Sequence, residues 1–463
     1  MTRPEKSAVL IRALKILNIL LTAAVFAAGW FVFYIPRSAV SITGVGAWLL
    51  PGLMLVLYVL FARIYDGFDV SLHRISEIAG SQLLAAALSD AILYLVICIL
   101  AQRFVTLWPM VLVLTIQTLL ITVWTLLAHE WYFRTFPPKR SAVVYDSKRA
   151  MEELIGEYGL DKKFRILWTA TVDDCLLDLT MLDGLETVFL SDLHSQDRNT
   201  ILKYCIRRGI SVYTIPRIGD VIMSGARHMH MFHLPILSVG PYCPTPEYAI
   251  LKRGLDLLVS AVGLFVLSPV LLVTAAAIKL CDGGPVFYKQ KRLTVNGRVF
   301  EILKFRSMRV DAESDGVARL SGGDRDTRVT PVGRVIRKVR LDELPQLLNV
   351  LKGDMSIVGP RPERPEIARE YEKTLPEFRL RLQVKAGLTG YAQVYGKYNT
   401  TPYDKLQMDL MYIAKPGLLT DLSICIATVK VLFLPDSTEG FQTNETVTEA
   451  EAEPSERETV GML

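Results

Sequence analysis

At 463 residues the chain is too long for a single compact core and fits about three domains. Apolar residues make up 51% and the mean hydropathy is +0.31, so a wholly disordered or fibrous protein is excluded and part of the chain belongs in lipid. Fifty-two Lys and Arg face 47 Asp and Glu, and residues 439–463 hold seven Glu against one Arg. The rest therefore carries +11, a balance that suits anionic headgroups or phosphorylated ligands and is also common on the cytoplasmic side of membrane proteins. The six cysteines form no C-x-x-C pair, which argues against a disulfide framework or a zinc site.

Four apolar runs, near residues 14–34, 47–61, 83–101 and 108–129, approach or exceed bilayer-crossing length and predict a four-helix transmembrane domain over 1–135. The second is short but carries Trp48 and Tyr58 where interfacial aromatics belong. Basic residues cluster at the N-terminus (Arg3, Lys6, Arg12, Lys15), in the second loop (Arg63, Arg74) and at the exit (Arg134, Lys139, Arg140). Both ends of this domain are thus expected in the cytoplasm.

Over 136–245, β-rich runs at 141–145, 164–170, 187–191 and 211–215 alternate with helical patterns at 148–158 and 197–208, predicting a small doubly wound α/β domain. The first strand runs into YDSKRAMEEL without the glycines that let backbone approach a pyrophosphate, so a structural or oligomerisation role is favoured over nucleotide binding. His228, His230 and His233 lack a neighbouring carboxylate or cysteine to complete a metal site and are assigned to packing or an interface.

A fifth apolar run, 255–278, is flanked by Lys252, Arg253 and Lys279 and interrupted by Ser268-Pro269. Proline removes a helical hydrogen bond and serine can satisfy the freed carbonyl, so either a kinked spanning helix or a re-entrant helix-break-helix is possible. Beyond it, Asn296-Gly297 between two β-rich segments predicts a hairpin. Asp342 and Glu343 then open an apolar helical pattern (Leu344, Leu347, Leu348, Leu351), with Arg337 and Arg340 just before them. Acids at a helix start can simply answer its dipole. Adjacent carboxylates there can also divide labour, one attacking phosphorus and one holding a divalent cation. Gly359-Pro360-Arg361-Pro362 favours the second reading, because it sets a guanidinium between two prolines, ready for phosphate. Re-entrance is preferred for the fifth run, since a span would carry this half of the chain outside the cell. The tail from Asp436 is acidic, poor in apolar residues and expected to be disordered.

KRGLDLLVS, the Ser268-Pro269 pair, KFRSM at 304–308, LDELPQLLNVLKGDMSIVGPRP and GLTGYAQVYGK at 387–397 occur in an order that closely resembles the bacterial polyprenyl-phosphate hexose-1-phosphate transferases, the monotopic phosphoglycosyl transferases. The preceding helices and α/β domain resemble the larger members of that family, which initiate exopolysaccharide, capsule or O-antigen synthesis. The resemblance implies a mixed α/β catalytic domain over 246–436 anchored by the re-entrant helix, with 437–463 as tail. It further implies transfer of hexose-1-phosphate, glucose or galactose leading, from a UDP-sugar to polyprenyl (undecaprenyl) phosphate at the cytoplasmic face of the inner membrane, with UMP released. Carried over, Asp342 is the nucleophile and Glu343 its partner at Mg²⁺. Arg337 and Arg361, and with them Lys304 and Arg306, meet substrate phosphate. Ser268 and Pro269 set the re-entrant angle, and Lys252 and Arg253 lie at headgroup level near the acceptor phosphate. Partners are then the two substrates, membrane lipids and a second copy in a dimer, with no nucleic acid. Two alternatives make different predictions. Direct metal-assisted transfer requires both substrates before UMP appears. A non-catalytic scaffold or sensor requires a damaged motif, whereas Asp342, Glu343 and Arg361 are all present.

Overall fold

The computed structural model describes residues 3–37, 44–146, 151, 155–156, 159–309, 328–396 and 400–433. The acidic tail and most of the expected 148–158 helix lie outside these residues. Among the described residues, five helices are long and apolar enough to cross a membrane by length and composition: Val9–Tyr34, Gly44–Ile64, Ile75–Ala101, Trp108–Thr135 and Pro246–Cys281.

Four helices, α1 (Arg3–Gly29), α2 (Leu49–Ile64), α3 (Ile75–Ala101) and α4 (Trp108–Thr135), pack around Phe26, Trp30, Met54, Tyr58, Leu93 and Ile121. Helix α3 begins eight residues before its apolar run, because the polar residues there turn inward and find partners. Gln82 donates to the Gly67 carbonyl at 2.6 Å, and its own oxygen accepts from Asn18 at 3.2 Å. Apolar periodicity cannot register a buried amide that is satisfied by its neighbours.

Strands β1 (Lys139–Tyr145), β2 (Phe164–Thr171), β3 (Thr187–Ser191) and β4 (Ser211–Thr214) form one parallel sheet in the order β2-β1-β3-β4. Alternate residues enter opposite cores: Ala142, Val144, Val188 and Leu190 meet Ile201 and Cys205 of α5 (Ser195–Arg208), while Val143 and Phe189 meet Phe164 on the other face. Burial on both faces is why these strands read as continuous apolar runs.

Strands β5 (Arg227–Met231) and β6 (Leu234–Ser238) make a two-stranded hairpin whose tip residues Phe232 and His233 have φ of 55° and 62°. His228 and His230 alternate along β5, and Phe232 is 79% exposed. The short helix α6 (Ile218–Ser224), for which the sequence reading named no helix, lies within 136–245 yet packs on the C-terminal core: Val221 is buried there, and Gln407 donates to the Pro216 carbonyl.

Helix α7 (Pro246–Asp282) corrects one expectation, because it runs through Pro269 without ending. Proline cannot donate to the Phe265 carbonyl four residues back. The Ser268 hydroxyl does so instead, at 2.7 Å. One side of α7 packs on the C-terminal domain along its length. Arg253 donates to the Val350 and Leu351 carbonyls, and Asp256 accepts from Ser356 Oγ (3.1 Å) and the Ile357 amide (2.9 Å). Leu264 joins the main core, and Leu271, Ala275 and Ile278 pack with Phe305 and Ile336. The other side exposes Phe265, Val266, Leu272 and Val273.

The C-terminal domain starts with the expected hairpin, β7 (Phe287–Leu293) and β8 (Val299–Phe305), which turns through Asn296 and Gly297 at φ of 57° and 73°. Helices α8 (Pro331–Lys338) and α9 (Gln346–Lys352) follow, then parallel strands β9 (Met355–Val358) and β10 (Ala386–Thr389). Helices α10 (Pro402–Ala414) and α11 (Leu418–Phe433) close the domain.

Candidate active site

Asp342 and Glu343 lie in the single 3₁₀ turn Leu341–Glu343, between α8 and α9. Arg340, just before it, has φ of 54°, a left-handed conformation that is uncommon for any residue carrying a Cβ. The chain leaves α8, reverses at Arg340 and presents both carboxylates ahead of α9. The expected helix start is thus a strained turn one step earlier. Strain of this kind clusters at functional sites.

Two cations from distant parts of the chain converge on Glu343. Lys304, near the end of β8, donates Nζ to Glu343 Oε1 at 2.9 Å, and Arg361 donates Nη2 to the same oxygen at 2.8 Å. Burial alone would push the Glu343 carboxyl up, but the Arg361 and Lys304 charges more than offset it and hold the group well below the ordinary carboxylate range. Asp342 goes the other way: burial, and then the Glu343 charge, push its carboxyl up against the opposing pull of Lys304 and Arg337. Neighbouring carboxylates with acidities driven apart take different chemical roles. Arg361 keeps 44% of its side chain exposed, so its guanidinium can meet a ligand from solvent while it holds Glu343.

Glycines explain why Arg361 stands where it does. A Cβ on Gly359 would lie 2.4 Å from the Lys385 carbonyl oxygen, and one on Gly387 would lie 2.2 Å from the Gly359 nitrogen. GPRP and GLTG therefore interlock backbone to backbone, with Gly359 N donating to Thr389 O and Gly387 N to Pro360 O, both at 2.9 Å.

The structure brings Lys304, Arg337, Asp342, Glu343 and Arg361 together. Arg306 is buried, and its amide is spent on the Val286 carbonyl. Lys252 donates to Asp421 at 2.9 Å, where Tyr248 and Tyr412 also donate, and Arg253 binds the last carbonyls of α9. Ser268 and Pro269 sit within α7, away from this cluster in the chain. Sequence reading missed Asp256, Arg292, Arg381 and Asp409. Asp256 stands within KRGLDLLVS but was given no role there, and the other three lie outside the quoted motifs, so only their partners in the fold reveal them.

A divalent cation is commonly held by one or two carboxylates together with substrate phosphate oxygens, so Asp342 and Glu343 suit Mg²⁺. A cation at the dyad would oppose both causes that raise Asp342, burial first and the Glu343 charge second.

The model of the family described as bacterial sugar transferase matches residues 247–435, a range that takes in α7 to α11. Over 209 residues the chain is 40% identical to the UDP-glucose:undecaprenyl-phosphate glucose-1-phosphate transferase of Caulobacter vibrioides, covering 44% of this chain and 78% of that protein. It belongs to the bacterial sugar transferase family. The family region is also 38% identical over 234 residues to the UDP-N-acetylgalactosamine-undecaprenyl-phosphate N-acetylgalactosaminephosphotransferase of Aeromonas hydrophila, covering 50% of this chain and 54% of that protein. With the UDP-glucose:undecaprenyl-phosphate glucose-1-phosphate transferase of Escherichia coli (strain K12) the identity is 37% over 227 residues, 47% of this chain and 48% of that one. The match thus spans about half the length of these two relatives.

Proposed function

We propose that this family member transfers hexose-1-phosphate from a UDP-sugar, UDP-glucose or UDP-galactose first, to polyprenyl phosphate and releases UMP, as the opening step of a surface polysaccharide. The observation that carries the reading is the split dyad: Glu343 held ionised by Lys304 and Arg361, directly beside an Asp342 whose pKa is raised by burial and by the Glu343 charge. The names of the relatives support the substrate classes.

Asp342 attacks the β-phosphorus of the donor, forming a carboxylate–phosphorus bond as the bond to the UMP oxygen breaks, and UMP leaves with that electron pair. The polyprenyl phosphate oxygen then attacks the same phosphorus and returns the carboxylate. One covalent intermediate lets a water-soluble donor and a lipid acceptor use one site in turn. Arg361 and Arg337 bind the phosphates, and Lys304 orients Glu343. Glu343 is the residue that would hold Mg²⁺, which supplies charge neutralisation at the diphosphate.

Membrane placement follows from α7. Residues from Arg253 to Ile278 contact one domain while Phe265, Val266, Leu272 and Val273 point away, which supports a continuous helix lying against that domain with its apolar outer side in the cytoplasmic leaflet of the inner membrane. The four N-terminal helices anchor the same face, and the exposed β5–β6 hairpin fits a contact with a second copy. The middle sheet, without phosphate-binding glycines, serves assembly.

Rapid quenching with a UDP-sugar labelled in its sugar, acceptor absent, should place label on the wild-type protein and none on Asp342→Asn. Turnover with no labelled protein, together with ternary-complex kinetics, would favour direct transfer.

A further inference from the structure

Arg361 is a long side chain on a loop, yet it must reach Glu343 and a substrate phosphate at once. What fixes its root is visible in the carbonyls around it. Four consecutive carbonyl oxygens each accept one hydrogen bond: Pro360 from Gly387 N (2.9 Å), Arg361 from Arg381 Nη2 (2.9 Å), Pro362 from Arg292 Nη1 (3.0 Å) and Glu363 from Leu293 N (2.9 Å). The prolines fix φ at 360 and 362. The bonds to Pro360 O and Arg361 O pin the two peptide planes that flank the Arg361 Cα. With both planes fixed, so is the direction in which the side chain leaves the backbone.

Of the two planes, the second depends on a side chain. Arg381 is 4% exposed and paired with Asp409, which is 1% exposed, through Nε at 2.9 Å and Nη2 at 2.7 Å, and its guanidinium lies over the Phe378 ring. A buried ion pair of this kind adds little net stability, because the desolvation of both charges offsets their attraction and an apolar pair of similar size does as well. Its remaining use is position. We propose that Arg381, locked by Asp409, is a positioning residue that sets the aim of Arg361. The proposal rests on the reading of Arg361 as a phosphate ligand.

The test uses the purified full-length chain with UDP-glucose and polyprenyl phosphate, following UMP release. Arg381→Lys should raise the donor KM and lower kcat/KM by roughly 10- to 100-fold, the scale of a small misplacement of a substrate-binding group. In an Arg361→Ala background the same change should cost less than about twofold, because a residue acting only through Arg361 has nothing left to aim. The paired change Arg381→Met with Asp409→Leu should keep the melting temperature and still lose activity. Full activity in that stable pair, or an equal loss from Arg381→Lys in both backgrounds, overturns the proposal alone. An Arg361→Ala enzyme with wild-type kinetics overturns the phosphate-ligand reading as well.

Discussion

The two soluble cores of this chain are built from opposite materials. The parallel sheet buries Val143, Val188, Phe189 and Leu190, and the polar groups it buries, Ser141, Thr187 and Ser191, are neutral. The C-terminal domain buries Asp256, Arg306, Asp354, Arg381, Asp409 and Asp421. Charges taken out of water are costly unless paired and hydrogen-bonded, so a core that holds six of them is not optimised for stability. Each of four has a traceable positional use. Asp256 docks α7, Asp421 gathers Lys252, Tyr248 and Tyr412, and Arg381 with Asp409 holds the Arg361 loop. The first core makes a rigid body, and the second holds a geometry.

If that contrast is right, the C-terminal core should fail by losing alignment. The largest effect is expected at the backbone interlock. Gly387→Ala places a methyl against the Gly359 backbone, which cannot rotate aside, so the GPRP loop must move. UMP release should fall by about 100-fold or more, since small displacements of a binding group are amplified in rate, while the domain loses about 1–3 kcal/mol. Unchanged turnover would mean that the interlock does not position Arg361.

Next is the dock of α7. Asp256→Ala leaves the buried Ile357 amide without its acceptor, at a cost of about 1–3 kcal/mol, and frees the N-terminal half of the helix. Asp256→Asn keeps one carbonyl oxygen and should recover most of the loss. Thermal unfolding in detergent measures both. If Asn were as damaging as Ala, the charge and not the hydrogen bond would be what matters.

These positions also show what a sequence can and cannot announce. The four parallel strands, the Asn296-Gly297 hairpin and the LDELP and GPRP segments were legible, because each follows from local rules of periodicity, turn chemistry or motif. The start of α3 was not, because Gln82 is buried against partners from α1 and from the turn after α2. Continuity through Pro269 depended on the single Ser268 bond to Phe265. The left-handed Arg340 and the Arg381–Asp409 pair left no local signature, since their reason lies in residues 20 to 28 positions away or in the tertiary environment that enforces the turn. The residues that cluster around Glu343 were legible in the chain, and most of the residues that hold them in place were not.

A smaller effect is expected on the pH profile. If Asp342 is the nucleophile, as proposed, its protonated form cannot attack, so the rate falls as pH drops through its pKa. Burial and the Glu343 charge raise that pKa, so the acid limb of kcat/KM for the free enzyme should lie above that of an ordinary aspartate, near ~3.9. The same shift means that this carboxyl's contribution to stability declines as pH rises from the unfolded to the folded pKa. Lys304→Met removes a charge that opposes the shift and should move the limb of the residual activity higher still. A limb at or below the ordinary position would break the assignment of Asp342 to a crowded, like-charged site.

The smallest effect on chemistry should come from the largest lesion in the other core. Phe189 stacks on Tyr213 at 5.2 Å and meets Phe164 edge-on at 5.0 Å, so Phe189→Ala removes the centre of one face of the sheet. The loss should be about 3–5 kcal/mol in that domain. Because this cluster shares no core residue with the groups that hold Asp342, Glu343 and Arg361, donor KM and kcat should change by less than roughly twofold at temperatures where the domain stays folded. Calorimetry, followed by UMP release at 20 °C below the first transition, separates the two readouts. A parallel fall in stability and turnover would show that the sheet is mechanically tied to the site, and the division between a rigid body and a geometry-holding core would have to be redrawn through α6, whose Val221 already sits on the catalytic side.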